Sequence, residues 1–373
     1  MQGRIRAIDW LRGLSVIFMI ECHALIFLDP QFHVSRLWNF VVDINGLVCV
    51  SFLFSAGFAG GLVGSRAAKD AAGRRRRAVR TFYRLVQVLA MSAYFHLIWQ
   101  PIHTNPATWL QVDILLCIAI SVLVVWAIVT ICRGKNGVAL AMLLAAATSV
   151  LLFTPWAWRY RGSEVITELL NASTGSMFPL FPWLVFPLLG AAMGVVAAAP
   201  ERGRRRLATC LVILFVATWA ICHSPIGSQQ WNSYTTEPGV FWAGNTLERM
   251  WKLCAVLLGL LAVDSLSFPL AGLPWTRPFK PLERTLNFFS RHALMAYLVH
   301  LSLLYGFMNY QFTKQWHQIS TPAQYAWRTL VVLAGTAAVC QLIHLIKRLI
   351  EAAVRRLLMS MATTDVLART PSV

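Results

Sequence analysis

Long apolar segments recur along nearly the whole chain, and they restrict its fold more than any other feature. A helix needs about 20 mainly apolar residues to cross the hydrocarbon core of a bilayer. Ten segments come close to this length, at 10–28, 39–64, 82–100, 109–132, 137–155, 179–199, 207–222, 246–266, 286–308 and 326–347. Backbone polar groups in lipid are satisfied only within helices or closed barrels. The sequence therefore predicts an all-α integral membrane protein with about ten transmembrane helices.

Charged residues lie mainly in the short gaps between these segments. Only 13% of the 373 residues are charged, whereas a soluble domain has about 25%. The net charge is +18, but a nucleic-acid-binding protein collects such charge on one folded polar face. Most of the 33 Lys and Arg residues fall on one side if the N-terminus is cytoplasmic, as the positive-inside rule requires. We predict cytoplasmic N- and C-termini, contact with membrane lipids and no nucleic-acid partner.

The gaps between the segments are too short for a separate soluble domain. The longest, at 65–81, 156–178, 223–245 and 267–285, have about 20 residues each, whereas a domain has at least about 50. We predict one transmembrane domain over residues 1–350 and a cytoplasmic tail over 351–373. The first segment lacks a small-residue cleavage site, so we expect an uncleaved anchor. Together these features favour a bacterial inner membrane protein.

Ionisable side chains within the apolar segments are the clearest functional indicators, because they are costly in lipid. Arg12 and His23 are eleven residues apart, so they share a helix face and are separated by about 16 Å along the axis. Histidine, with an ordinary pKa of about 6.5, is suited to act as a general base. The pair fits an acyl-coenzyme A, with its phosphates at Arg12 and its thioester at His23 near the membrane midplane.

Several motifs, in order along the chain, resemble those of polytopic membrane acyltransferases. Arg6–Leu14 followed by His23 resembles the first-helix signature of the acyltransferase-3 family and of the heparan-α-glucosaminide N-acetyltransferase-like family. Later matches are Ser51–Phe58, the basic tract Arg74–Arg84, Leu110–Leu115, Phe181–Leu184 and Arg291–His300. The resemblance spans roughly residues 4–310, and it implies a membrane acyltransferase in which the histidine at this spacing after the first-helix signature matters for activity.

Two histidines compete for that role. The acyltransferase-3 pattern favours His23. The lysosomal enzyme of the glucosaminide branch favours His33, which precedes Trp38 and Asn39 with two extra residues between. We prefer His23, because its position follows from the helix itself, and His33 is then an acceptor-binding or ordinary loop residue.

Basic and acidic residues around these histidines are candidates for binding and support. Guanidinium groups form bidentate contacts with phosphates, so the candidates for coenzyme A are Arg12, Arg84, Arg76 and Arg77, although this basic tract is also explained as a topology signal. The supporting candidates are Asp9, Asp43, Asp113 and His300. Asp9 either holds Arg12 or caps the helix. Asp43 and Asp113 are candidates to orient a histidine or an acceptor hydroxyl, and Asp113 alternatively pairs with an arginine. The eight Cys residues lack paired spacing, so no metal is expected.

These features predict an acyl-CoA-dependent O- or N-acyltransferase. The acyl group, preferably acetyl, with succinyl as an option, passes from cytoplasmic acyl-CoA to a hydroxyl or amine of a sugar or glycan on the outer side. Direct transfer is simpler than an acyl-enzyme, and both stay open, as does a homodimer. The main alternative is a proton-coupled transporter or lipid-linked sugar flippase that uses the buried ionisable groups as a relay. A membrane scaffold or sensor is a third option.

Overall fold

Helices are the regular elements of the part of the chain that the structure describes. The computed structural model describes residues 5–25, 28–29, 31–32, 36–66, 71–99, 111–132, 134–198, 203–225, 246–270, 279–306 and 321–368. The helices within these residues are α1 (Arg6–Ala24), α2 (Arg36–Ser65), α3 (Ala71–Trp99), α4 (Ile114–Ile131), α5 (Asn136–Arg159), α6 (Glu164–Leu170), α7 (Leu180–Trp183), α8 (Val185–Ala197), α9 (Gly203–Cys222), α10 (Thr246–Leu270), α11 (Phe279–Tyr305) and α12 (Pro322–Ala368). Each of the ten apolar segments overlaps a helix in the described residues, and the segment 179–199 is divided between α7 and α8.

Six helical spans among the described residues are long and apolar enough to cross a membrane. They are Trp38–Ser65, Ile114–Ile131, Asn136–Arg159, Leu180–Ala197, Gly203–Cys222 and Pro322–Val354. The other four predicted segments correspond to α1, α3, α10 and α11, and each of these helices carries several charged residues. The total of about ten transmembrane helices and the cytoplasmic termini therefore stay predictions.

The last helix is much longer than a single membrane crossing requires. Helix α12 has 47 residues and therefore measures roughly 70 Å at 1.5 Å per residue, whereas the hydrocarbon core is about 30 Å thick. It continues to Ala368, so most of the predicted tail 351–373 extends the last helix.

Glycines allow helices α2 and α8 to pack with their backbones in contact. A Cβ atom on Gly57 would lie 1.9 Å from the Pro187 carbonyl oxygen, and one on Gly61 would lie 2.0 Å from that of Ala191. On the opposite helix, Gly190 and Gly194 approach the backbone of α2 in the same way. Small residues spaced four apart let transmembrane helices approach this closely. Helix α8 is buried on nearly all sides, so the α2–α8 pair forms the central core of the bundle.

Helix α1 packs against α11 through a glycine as well. A Cβ on Gly13 would lie 2.3 Å from the carbonyl oxygen of Leu286, so only glycine permits this crossing. Near the same end of α1, the buried carboxylate of Asp264 on α10 pairs with Arg6 Nε at 2.7 Å and with Arg204 Nη2 at 2.9 Å. These contacts fix the position of α1 against α10 and α11, and α1 carries both Arg12 and His23.

Candidate active site

A cavity of about 1960 Å³ lies between α1, α2, α3, α4 and α11. One part, called the arginine end below, is lined by Arg12, Arg75, Arg77 and Arg84. Another part, called the histidine end, is lined by His23, Asn45 and Tyr305. One drug-sized ligand needs roughly 300–1,000 Å³, so the cavity has room for two substrates at once.

The two ends are well separated along the helices. On α1, the eleven residues from Arg12 to His23 correspond to about 16 Å. On α3, the Tyr94 hydroxyl lies 3.2 Å from Ser302 Oγ, two residues after His300. Arg84 precedes Tyr94 by ten residues, about 15 Å along the same helix. The arginines of α1 and α3 therefore lie at one level, and the histidines lie at another.

His23 and His300 form a pair at the histidine end. His23 lies in the last turn of α1, nearer the end of that helix than its middle, and it lines the cavity. Its Nδ1 is 3.0 Å from Nε2 of His300 and 2.9 Å from the Met19 carbonyl oxygen. His300 is fully buried and lies behind His23 rather than on the cavity wall. The structure thus brings together two histidines that are 277 residues apart in the sequence.

The hydrogen bonds of this pair determine which nitrogens carry protons. His300 Nδ1 is 2.7 Å from the Ala296 carbonyl oxygen, and because a carbonyl only accepts, this nitrogen must donate. In a neutral imidazole the other nitrogen then accepts, so His300 Nε2 accepts a hydrogen bond from His23 Nδ1. His23 Nδ1 also donates to Met19. This arrangement leaves the lone pair of His23 on Nε2.

Aromatic side chains surround the histidine pair. The Tyr305 ring meets His23 edge-on with ring centroids 6.2 Å apart, and the Tyr297 ring meets His300 at 5.8 Å. The Tyr305 hydroxyl also lies 3.4 Å from the His23 carbonyl oxygen. Both tyrosines line the cavity, so they restrict the orientation of the two imidazoles from the cavity side.

The arginine end is more exposed to solvent. Arg77 is committed in part to the protein itself, since it donates to the carbonyl oxygens of Val63 at 2.8 Å and Arg66 at 2.9 Å, at the end of α2. Arg75 and Arg84 are exposed cavity-lining side chains. Arg76, a predicted ligand, is exposed and is not among the described residues that line the cavity. Arg75 lines it instead, and sequence reasoning singled it out only as part of the basic tract.

The three predicted supporting aspartates lie in different places. Asp9 lines the cavity near Arg12, with its Oδ1 3.4 Å from Ser290 Oγ. Asp113 caps α4 by accepting a hydrogen bond from the Leu116 backbone N–H at 2.8 Å, and it accepts another from Ser92. Asp43 pairs with Lys252 at 3.3 Å. Among the described residues, only Asp9 of these three lines the cavity.

Two residues of the histidine end were not predicted from the sequence, and one predicted residue lies outside the described part of the chain. Asn45 and Tyr305 at the histidine end were not singled out. A polar residue within the apolar run of α2 was the only sequence signal for Asn45. His33 lies outside the described residues. In the described part of the chain, no group of three or more His, Cys, Asp or Glu side chains is placed to hold a metal ion.

Comparison with known families shows which family the chain belongs to. The sequence matches a family model described as an acyltransferase domain, of the acyltransferase-3 type, over residues 5–345. A search of curated proteins gave no match. The match covers nearly the whole chain, including the helices that carry both ends of the cavity. The chain therefore belongs to the acyltransferase-3 family of membrane acyltransferases.

Proposed function

We propose that this protein transfers an acyl group, preferably acetyl, from acyl-CoA to a hydroxyl or amine of a sugar or glycan, with His23 as the general base. The donor binds from the arginine end, and the acceptor reaches the histidine end from the other side of the membrane. The observation that carries the proposal is the Nε2 lone pair of His23. It belongs to a side chain on the wall of a cavity that also reaches the arginines.

His23 is equipped to take a proton because its other nitrogen is already engaged. Donation from Nδ1 to His300 Nε2 and to the Met19 carbonyl oxygen fixes the tautomer and the ring orientation. It also stabilises the imidazolium that forms when Nε2 accepts a proton. His300, held by the Ala296 carbonyl oxygen, is a positioning residue that acts through His23.

The proposed reaction needs no covalent acyl-enzyme intermediate. The acceptor hydroxyl or amine loses its proton to His23 Nε2 as its oxygen or nitrogen attacks the thioester carbon. The tetrahedral intermediate then expels the thiolate of coenzyme A, which takes the proton back from His23. A cavity with room for two substrates supports direct transfer, since holding both reactants together removes much of the entropic barrier.

The arginine end supports an anionic donor. Arg12, Arg75 and Arg84 line the cavity there, and guanidinium groups suit phosphate oxygens. Because basic residues favour the cytoplasmic side of membrane proteins, this end faces the compartment that supplies acyl-CoA. The distance of about 16 Å from Arg12 to His23 fits a donor whose thioester is at the tip of a long arm. A bacterial inner membrane suits this arrangement.

The decisive measurement is release of free coenzyme A by the purified protein, supplied with acetyl-CoA and a panel of sugars and glycans. We expect acceptor-dependent release that is lost in His23→Ala. The control is His223→Ala, because His223 is an exposed histidine at the end of α9. The absence of thioester consumption across the panel, or full activity in His23→Ala, would contradict the proposal. A variant at His33 tests the competing base in the same assay.

Transport is the second candidate function, because the arginine end and the histidine end belong to one continuous cavity. A proton-coupled transporter or lipid-linked sugar flippase would move its substrate across vesicles without consuming a thioester. The same purified protein in vesicles distinguishes the two functions, since an acyltransferase releases coenzyme A in proportion to acylated product.

A further inference from the structure

Helix α2 presents a buried amide to the histidine end. Asn45 is 2% exposed, and it lines the cavity together with Cys22 and His23. Neither its Oδ1 nor its Nδ2 has a hydrogen-bond partner among the described residues. Buried amides without partners are costly, so their presence in a cavity wall indicates that a ligand completes their hydrogen bonds.

Asn45 lies near the level of His23. Its amide is close to the carboxyl group of Glu21, although the two side chains do not form a hydrogen bond within normal geometry. Glu21 precedes His23 by two residues, about 3 Å along α1. Glu21 is engaged elsewhere, because its carboxylate accepts a hydrogen bond from the Tyr325 hydroxyl. The Asn45 amide therefore belongs to the same part of the cavity as the proposed base.

We propose that the Asn45 side-chain N–H binds the carbonyl oxygen of the acyl group and stabilises the negative charge that develops on it during transfer. This inference rests on the proposed function, and it adds a catalytic residue on α2 to the histidine on α1. A preorganised amide donor in a site shielded from water is effective in this role, because it needs little reorganisation when the charge appears.

His23 and Asn45 act together in the proposed acyl transfer. The acceptor O–H or N–H bond breaks, its proton passes to His23 Nε2, and a new bond forms to the acyl carbon. The electron pair of the C=O bond moves to the oxygen, where Asn45 Nδ2 donates a hydrogen bond. When the C=O bond reforms, the C–S bond breaks and the proton leaves His23 for the departing sulfur.

The test compares Asn45→Asp and Asn45→Ala with the wild-type protein. Asn45→Asp keeps the shape of the side chain but replaces its N–H donor with an acceptor. We expect kcat to fall about 10²- to 10³-fold, the loss typical for one oxyanion donor, with donor affinity measured by direct binding within threefold of the wild type. Unchanged donor binding shows that the variants are folded. Slow hydrolysis of acetyl-CoA without acceptor should fall by the same factor, because it uses the same carbonyl oxygen.

Two controls separate this role from others. If Asn45 serves only to pack against Glu21, Glu21→Gln should reduce kcat as strongly as Asn45→Asp, and that result would overturn the proposal. If Asn45 binds the acceptor instead, the variants should raise the acceptor KM and leave hydrolysis intact, which also contradicts it. A wild-type protein that consumes no thioester defeats the proposed function along with this inference. Active wild-type protein with Asn45 variants of equal kcat defeats this inference alone.

Discussion

The histidine end and the arginine end of the cavity differ in burial and in how firmly their side chains are held by hydrogen bonds. At the histidine end, His300 is fully buried and each imidazole has defined hydrogen-bond partners. At the arginine end, Arg75 and Arg84 are exposed, and their long side chains have many rotamers. Under the proposed function, the protein fixes side-chain geometry where a proton moves and relies on charge where it attracts a flexible donor. Changes at the two ends should therefore have different kinetic signatures.

Removing the proposed base, His23, should have the largest effect. His23→Ala deletes the Nε2 lone pair, and general-base catalysis contributes about 10²- to 10⁴-fold to rate. We expect kcat to fall by that range while binding of acetyl-CoA, which depends on the arginine end, stays within a few-fold. Parallel loss of donor binding would show that the two ends are not separable.

Removing the positioning residue should have a smaller effect of the same kind. His300→Phe keeps an aromatic ring but leaves the His23 Nδ1–H without its acceptor on that side, a loss of about 1–3 kcal/mol. If the activation free energy rises by this whole amount, kcat falls roughly 5- to 150-fold. The double variant with His23→Ala should be no slower than His23→Ala alone, because His300 acts only through His23. Additive losses would contradict that dependence.

A change at Gly13 tests whether α1 holds the arginine end and the histidine end of the cavity in fixed positions relative to each other. Gly13→Ala places a Cβ 2.3 Å from the Leu286 carbonyl oxygen, and such overpacking costs about 1–3 kcal/mol. We expect a lower thermal midpoint in detergent and a loss of both kcat and donor affinity. Gly259→Ala is the matched control, because a Cβ there meets nothing within 4 Å. Equal midpoints for the two variants would refute the tight crossing of α1 and α11.

The smallest effect should come from single changes at the arginine end. Exposed ion pairs contribute about 0.2–1 kcal/mol, so Arg75→Ala or Arg84→Ala should raise the KM for acetyl-CoA by up to about fivefold with kcat unchanged. The KM should also rise with ionic strength, because salt screens exposed charges. Arg205→Ala, an exposed arginine on α9, is the control. A fall in kcat without a change in KM would contradict the division of roles.

Much of the helical pattern was predictable from the sequence, since hydrophobic length alone located a helix at each of the ten segments. The shared cavity position of Arg12 and His23 was also predictable, because helical periodicity is local. The contact between His23 and His300 was not, because it depends on how α1 and α11 cross at Gly13, and no local pattern encodes that crossing. Asn45 and Tyr305 were missed because their positions on the cavity wall likewise depend on how the helices pack together. Asp113 was predicted as a supporting residue, and the structure places it at the N-cap of α4, a position that depends on where the helix begins.

The direction of the hydrogen bonds between His23 and His300 has a consequence for energetics in lipid. With both imidazoles neutral, as the hydrogen-bond assignment takes them, the resting pair carries no net charge, and in the proposed mechanism the membrane holds no isolated ion there between catalytic cycles. In that mechanism, a positive charge on His23 exists only from the moment the acceptor gives up its proton until the leaving group takes it. The proposed mechanism thus confines the free-energy cost of ionisation in an apolar environment to the brief interval in which a compensating oxyanion is present beside His23.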